Sequence, residues 1–463
     1  MASPILNVPI DILRLILDLL ASSPIDLRAI CLTHRDFLIL AEPLLYAHIR
    51  WTYSNSRKPP IIRFLRSILR RPQLAGFVKS LVLNGASLEK RPYHTSTLRS
   101  ISKLPVIEAD LDWLVERIKL IDVPYGDSWI QELRAGNINA FVALLLSQLP
   151  RLRCLHLDEI IVTQSLFLSM MLRTALCERP RASHLSSFED LQDVTAVYFR
   201  LGLDIFNYGV VMKTAGLLSL FYLPSVKHIT ASIHSPGIFA WPATQRPNPT
   251  QLTSLNLTLI REGQLGQILS VTKGLKKFQW HWYYHPVLED QYVTNKMDFD
   301  RLAADLSHVR ETLMELTITA STDAATGDIE LPPLPLKGPF TAFKHLDALK
   351  HLELPLPLLM GFSIAEPRIT RLAEALPKNI EYLTTTDDMC FDPKWDWPDT
   401  DWLEVIRTWL ENWKDTTPNL RGFHLLLKIL DFNDWGPEMR QNLRDVGAKA
   451  GVRIRITKLA GDM

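Results

Sequence analysis

Two Asp-x-Asp pairs, Asp110 with Asp112 and Asp399 with Asp401, have a spacing at which carboxylates can share a cation, and His281 and His285 offer imidazoles. Neither set is complete, because nothing beside the acidic pairs finishes a metal or glycosyl-transfer site. The two histidines fall in a run with strand character, where residues four apart are separated by about 13 Å, too far for one zinc ion. Cys31, Cys154, Cys177 and Cys390 are scattered without a CxxC spacing. That distribution argues against structural zinc or a disulfide framework and for a reducing compartment, cytoplasm or nucleus. The chain contains no GxSxG, HExxH, GxxxxGK[ST] or GxGxxG. No catalytic residue, metal or cofactor is therefore expected, and the expectation is a non-enzymatic chain.

The residue types suit binding better. Residues 387–402, DDMCFDPKWDWPDTDW, set Trp395, Trp397 and Trp402 among acidic side chains. Exposed, they would form a recognition surface for a basic partner; buried, they would pin the loop to its neighbours. Trp280, Trp282, Tyr283 and Tyr284 make a second aromatic cluster, and alternation along a strand puts Trp280, Trp282 and Tyr284 on one face and His281 and Tyr283 on the other. Trp395, Trp397 and Trp402, and by fold-level analogy alone Trp282 and Tyr283, are the candidate substrate-binding residues. Arg57, Lys58, Arg63, Arg66, Arg70 and Arg71 form a basic cluster on a segment whose Ile62, Leu65 and Leu69 are expected to face inward. It reads as a solvated helix face, with a phosphorylated or acidic partner as the alternative.

The elements that must carry these residues repeat. A helical stretch, a Pro or Gly turn and aliphatics spaced L-x-x-L-x-L recur at Val78, Leu81 and Leu83, at Leu152, Leu155 and Leu157, and at Leu252, Leu255 and Leu257. The same spacing returns at Leu275, Phe278 and Trp280, at Leu313, Leu316 and Ile318, at Leu349, Leu352 and Leu354, and at Leu420, Phe423 and Leu425. A switch from a period of 3.6 to a period of 2 after each turn is what a helix–strand unit must show. Stacked units would line a parallel sheet on one side and helices on the other. The fold class expected is α/β. Unit spacing is uneven, roughly 23 to 74 residues, with insertions near 87–136, 235–250, 321–339 and 387–402. Residues 56–463 resemble the leucine-rich repeat architecture, an irregular solenoid with a curved parallel sheet. They lack the Asn or Cys that normally follows the strand, since Ile160, Ile260 and Ser321 stand there.

Ahead of the repeats, residues 5–50 pack three helix signals. Pro9 suits a first turn, and Ile12, Leu13, Ile16, Leu17 and Leu20 recur at helical spacing. Ser23-Pro24 opens a second segment carrying Leu27, Ile30 and Cys31. Thr33 is placed to cap a third, with Phe37, Leu38 and Ala41, which Glu42-Pro43 is expected to interrupt. Ile10 and Leu19 add apolar surface beyond one stripe, so a partner or the following domain must cover some of it.

This segment resembles an F-box. Val8-Pro9 stands where the family has Leu-Pro, Asp11-Ile12 and Ile16-Leu17 match the next positions, and Asp26-Leu27, Ile30-Cys31, His34-Arg35, Phe37 and Ala41 match the second half. The closing Pro43-Leu44-Leu45-Tyr46 is similar to fungal members. Val8 for Leu and Phe37 where Trp is commoner are departures conservative in size and polarity. The resemblance implies docking on the Skp-type adaptor of a cullin–RING ubiquitin ligase through Val8, Pro9, Ile12, Ile16 and Leu17, supported by Leu27, Ile30, Cys31 and Phe37. The repeat domain would then hold a protein substrate. The alternative is a repeat scaffold with an F-box-like end acting outside ubiquitylation.

The bulk numbers fit either reading. Of 463 residues, 47% are hydrophobic and 22% charged, with a formal net charge of +1 that supplies no drive toward nucleic acid or membrane. No long apolar run and no basic leader precede the repeats, so neither a membrane span nor a secretory signal is expected.

Overall fold

A computed structural model describes residues 8–53, 60–85, 103–107, 111–162, 166–178, 185–197, 214–235, 238–284, 296–322, 336–338, 341–362, 372–390, 396–428 and 435–458. The chain divides into two compact units, the first comprising Met1–Pro92, Arg99–Tyr198 and Ser219–Val226, the second Tyr93–Leu98, Phe199–Leu218 and Lys227–Met463.

The first unit begins with three helices, α1 (Ile10–Leu19), α2 (Pro24–Cys31) and α3 (Arg35–Ala47). Leu17, Leu27 and Ala41, one from each, meet in a small core that Leu20, Ile30, Cys31, Leu40, Leu44 and Leu45 complete. Pro24 sits in the first turn of α2, where its missing N–H costs nothing. Two local expectations are corrected. α3 runs through Pro43 to Ala47 rather than stopping at Glu42. The carbonyl deprived of a partner belongs to Ile39, four residues earlier on an exposed turn where water can replace the bond. The cap of α3 is His34, not Thr33: His34 Nδ1 accepts from Asp36 N–H at 3.1 Å, while Thr33 Oγ1 donates back to the Ile30 carbonyl at 2.7 Å.

β1 (His48–Tyr53) follows α3 without a break and pairs in parallel with β2 (Ser80–Gly85), then β3 (Cys154–Leu157) and β4 (Asp193–Ala196). Between β1 and β2 lies α4 (Ile61–Arg70), whose buried residues are Ile61, Leu65 and Ile68. Ile62 and Leu69 are only half-buried, so the inward stripe is turned from the one expected. Arg71, just beyond α4, forks onto Glu42 of α3 with Nη1–Oε1 and Nη2–Oε2 at 2.8 and 2.6 Å, a bidentate pair tying the two helices together.

The second unit carries β5 (His228–Ser232), β6 (Ser254–Thr258), β7 (Lys277–Tyr284), the short β8 (Met297–Asp298), β9 (Glu315–Thr322), the short β10 (Leu336–Lys337), β11 (His351–Pro355), β12 (Tyr382–Thr386), β13 (Gly422–Leu427) and β14 (Arg453–Lys458). β8 and β10 pair with each other, and the rest lie side by side in chain order, all parallel. Parallel neighbours in chain order require a crossover between each pair, the βα pattern that the switching periodicity predicts.

The second and fourth residues of the strands point into the core. In register, Ile229, Leu255, Phe278, Leu316, Leu352, Leu383, Phe423 and Ile454 form one continuous apolar row. All but the half-buried terminal Ile454 are buried. Helices in the crossovers cover this side. In the helix Asp399–Glu411, Trp402, Ile406, Trp409 and Leu410 are buried, and Trp409 meets Phe423 of β13 edge to face at 6.2 Å.

A second device repeats where the strands start. The carbonyl of the residue before one strand accepts two N–H groups of the next unit. Lys276 O takes Met314 N and Glu315 N at 2.8 and 2.9 Å; Met314 O takes Lys350 N and His351 N; Lys350 O takes Glu381 N and Tyr382 N. Lys79 O and Arg153 O do the same in the first unit. Each carbonyl thus uses both lone pairs and no buried donor is stranded at the turn.

Among the described residues no helix is long and apolar enough to cross a membrane.

Candidate functional site

Two surfaces stand out from the packing. The first is on the N-terminal helices. Leu13 and Leu17 of α1 turn inward at 8% and 4% exposure, while Ile12 and Ile16 remain 46% and 43% exposed. Ile10, Leu15, Leu19, Ile25, Leu32 and Ile39 are exposed as well. Single exposed aliphatics are ordinary on a protein surface; here they are concentrated on and beside three short helices. Of the residues singled out in the sequence, Pro9, Ile12 and Ile16 are exposed, Val8, Ile30, Cys31 and Phe37 half-buried, and Leu17 and Leu27 interior. Burial and then the Glu42 carboxylate push the Cys31 thiol pKa up, so Cys31 is a neutral packing residue.

The second surface is the outward face of the sheet in the second unit, made by the first and third positions of the strands together with His281 and Thr319 at the fifth. Its side chains are polar and tied across strands. Lys277 Nζ lies 3.0 Å from Glu315 Oε2, and the Asn256 side-chain amide donates to Gln279 Oε1 at 3.0 Å. His281 Nδ1 and Thr319 Oγ1 are 2.7 Å apart. His351 and Tyr382 stack with ring centroids 4.9 Å apart. At the far end Lys428 donates from its backbone N–H to Asp387 Oδ1 at 2.7 Å and from Nζ to Asp388 Oδ2 at 2.8 Å. Central in this field, on β11, stands Glu353, whose register partners Thr317 and Thr384 are uncharged.

Burial lowers the His281 pKa to about 4, with Lys428 adding repulsion, so the ring is neutral at pH 7. The folded pKa lies below the unfolded value of about 6.5, so stability is complete above that value and is lost as pH falls toward 4. The loss attributable to His281 is about 2 kcal/mol by pH 5. Asp305 runs the other way: burial raises its carboxyl pKa to about 6 against backbone N–H groups of Gly263 and Gly266, so its contribution falls as pH rises from about 4 to 6. Comparison with His281→Asn isolates the histidine. Denaturant midpoints at pH 7.5 and pH 5 should converge in the variant relative to wild type, and equal shifts in both would show that the ring is not held neutral by the fold.

Four of the five aromatic residues expected to contact a substrate are interior. Trp282 and Tyr283 are 0% and 4% exposed, and Trp397 and Trp402 are 5% and 1%. Trp282 faces the core, covered by the Arg261 guanidinium 4.5 Å from its ring centre. Trp402 lies on the buried stripe of its helix, and the segment around Trp397 is fastened by Asp396 N–H to the Phe362 carbonyl at 2.8 Å. Their geometry is that of pins, the second of the two roles that residue type allowed. Trp395, Arg57, Lys58, Asp110 and His285 lie outside the described residues.

What sequence reading passed over is the polar field itself. Its signal was the odd strand positions, where Thr317, Thr319, Glu353, Thr384 and His424 alternate with the apolar row. Among the described residues no group of three His, Cys, Asp or Glu side chains is placed to hold a metal ion. The described residues present a broad polar sheet face in the second unit and several exposed aliphatic side chains on and beside the N-terminal helices.

Comparison with known proteins agrees with the fold. No curated protein and no solved structure matched the chain. The family model of a leucine-rich repeat domain matches residues 54–460, which includes every strand from β2 to β14. With the match spanning most of its length and the strand–crossover unit repeated through it, the chain belongs to the leucine-rich repeat domain family.

Proposed function

We propose that this chain is the substrate-recognition subunit of an SCF-type cullin–RING ubiquitin ligase, with α1–α3 as an F-box docking on a Skp-type adaptor and the repeat domain holding a protein substrate. The observation that carries the reading is the exposure of Ile12 and Ile16 on α1, at positions where the sequence resembles an F-box, while Leu13 and Leu17 hold the helix to its neighbours. A helix that spends two apolar residues on its own core and leaves further ones in water is built for a second contact. The chain itself does no chemistry on this reading. It raises the effective concentration of a substrate lysine beside the ubiquitin-loaded enzyme.

Co-purification of the full chain from a fungal lysate tests this. Capture of both a Skp-type adaptor and a cullin is the expected result. Adaptor without cullin would favour a scaffold acting outside ubiquitylation, and neither would overturn the assignment. The full chain is the proper bait, because removing residues 1–50 would also remove part of β1 and its pairing with β2.

A further inference from the structure

Glu353 is the anomaly of the outward sheet face. It is half-buried on β11, between Thr317 and Thr384 in register and between His351 and Pro355 along its own strand. Among the described residues its carboxylate makes no hydrogen bond and no ion pair, although its charged form is partly stripped of water and its pKa is raised by that burial. The two lysines that influence it are already engaged, Lys277 with Glu315 at 3.0 Å and Lys428 with Asp388 at 2.8 Å. His281 and His424, histidines of the same face, are both held toward the neutral form by burial. With those pairs formed, the Glu353 carboxylate remains without a partner of its own.

A carboxylate kept half-buried and unpaired is unfavourable unless something supplies the missing cation. A metal ion is a poor candidate, since no cluster of three ligating side chains exists among the described residues. A basic side chain fits better. One position diagonal to Glu353 stands Tyr382, 38% exposed and stacked on His351, a flat ring surface of the kind that receives a guanidinium or the stem of a lysine.

We propose that this sheet face recognises a polypeptide partner through one basic side chain, arginine or lysine, whose cation pairs with Glu353 beside the His351–Tyr382 stack. The inference rests on the reading that the repeat domain holds a protein, and it names the feature by which that protein is selected.

The test exposes the full chain, as wild type, Glu353→Gln and Glu353→Lys, to an array of random-sequence peptides, with far-UV circular dichroism confirming that each variant is folded. Wild type should bind peptides carrying Arg or Lys at one fixed position. Glu353→Gln, nearly isosteric, should bind those same peptides at least about tenfold more weakly, a loss of about 1.4 kcal/mol. Glu353→Lys should prefer Asp or Glu at that position. Absence of any selected peptide, wild-type selection without a basic preference, or undiminished binding by Glu353→Gln would each overturn the proposal. Adaptor capture measured on the same samples reads the N-terminal helices alone. Adaptor binding without basic selection would therefore overturn only this inference, and basic selection without adaptor binding only the ligase assignment.

Discussion

A full-length Ile16→Asp chain is expected to bind a Skp-type adaptor at least about 100-fold more weakly than wild type while unfolding at the same temperature. The size follows from burying a carboxylate with no partner, which costs roughly 3 kcal/mol or more where an aliphatic group had fitted. The unchanged stability follows from position. Ile16 is 43% exposed, whereas Leu17 beside it is 4% exposed in the α1–α3 core, so Leu17→Asp should unfold the helices and serve as the contrasting control. Titration of purified adaptor by calorimetry separates the two variants cleanly. An Ile16→Asp dissociation constant within threefold of wild type would place the interface elsewhere.

Trp280→Ala should produce the largest loss of stability among single substitutions in the second unit, about 3–5 kcal/mol. Trp280 is 1% exposed and stands in register between Leu257 and Ile318 in the middle of the apolar layer. Its indole N–H donates to the Ile260 carbonyl at 2.9 Å, so truncation opens a cavity and strands a buried acceptor together. Trp280→Phe keeps much of the volume and should cost about half as much. Denaturant unfolding followed by circular dichroism measures the total, and amide exchange locates it; protection should fall first in β6, β7 and β9, since stability in repeat proteins is carried by neighbours. A change below about 1 kcal/mol would mean that the layer closes over the gap.

The apolar row of the sheet was legible because burial in a strand is a local matter of alternation. Leu255, Leu257, Leu352 and Leu354 are interior as their spacing predicts. β4 has the same spacing in Leu191, Val194 and Ala196, but its smaller side chains weaken the signal, and it was passed over. β1 escaped because it begins at His48, directly after Ala47 ends α3, with no Gly or Pro to mark the change. The tryptophans at 397 and 402 show the limit of residue type: an aromatic ring serves a core and an interface equally well, and only the fold decides. The isolation of Glu353 was closed to sequence for another reason. Whether a carboxylate is paired depends on Lys277 and Lys428, far away along the chain, and on what those lysines have already bound.

The doubled hydrogen bonds at Lys276, Met314 and Lys350 fix each strand's first residue to the one before it, whatever length of chain intervened. Sliding a strand by one residue would exchange its two faces and throw the apolar row into water. A common baseline at the strand starts removes that hazard from the connections, which are then free to lengthen or shorten through evolution. The uneven spacing of the units is therefore no sign of decay: crossovers can drift in length and composition while the pattern of side chains offered to a partner stays aligned, residue against residue, from β6 to β13.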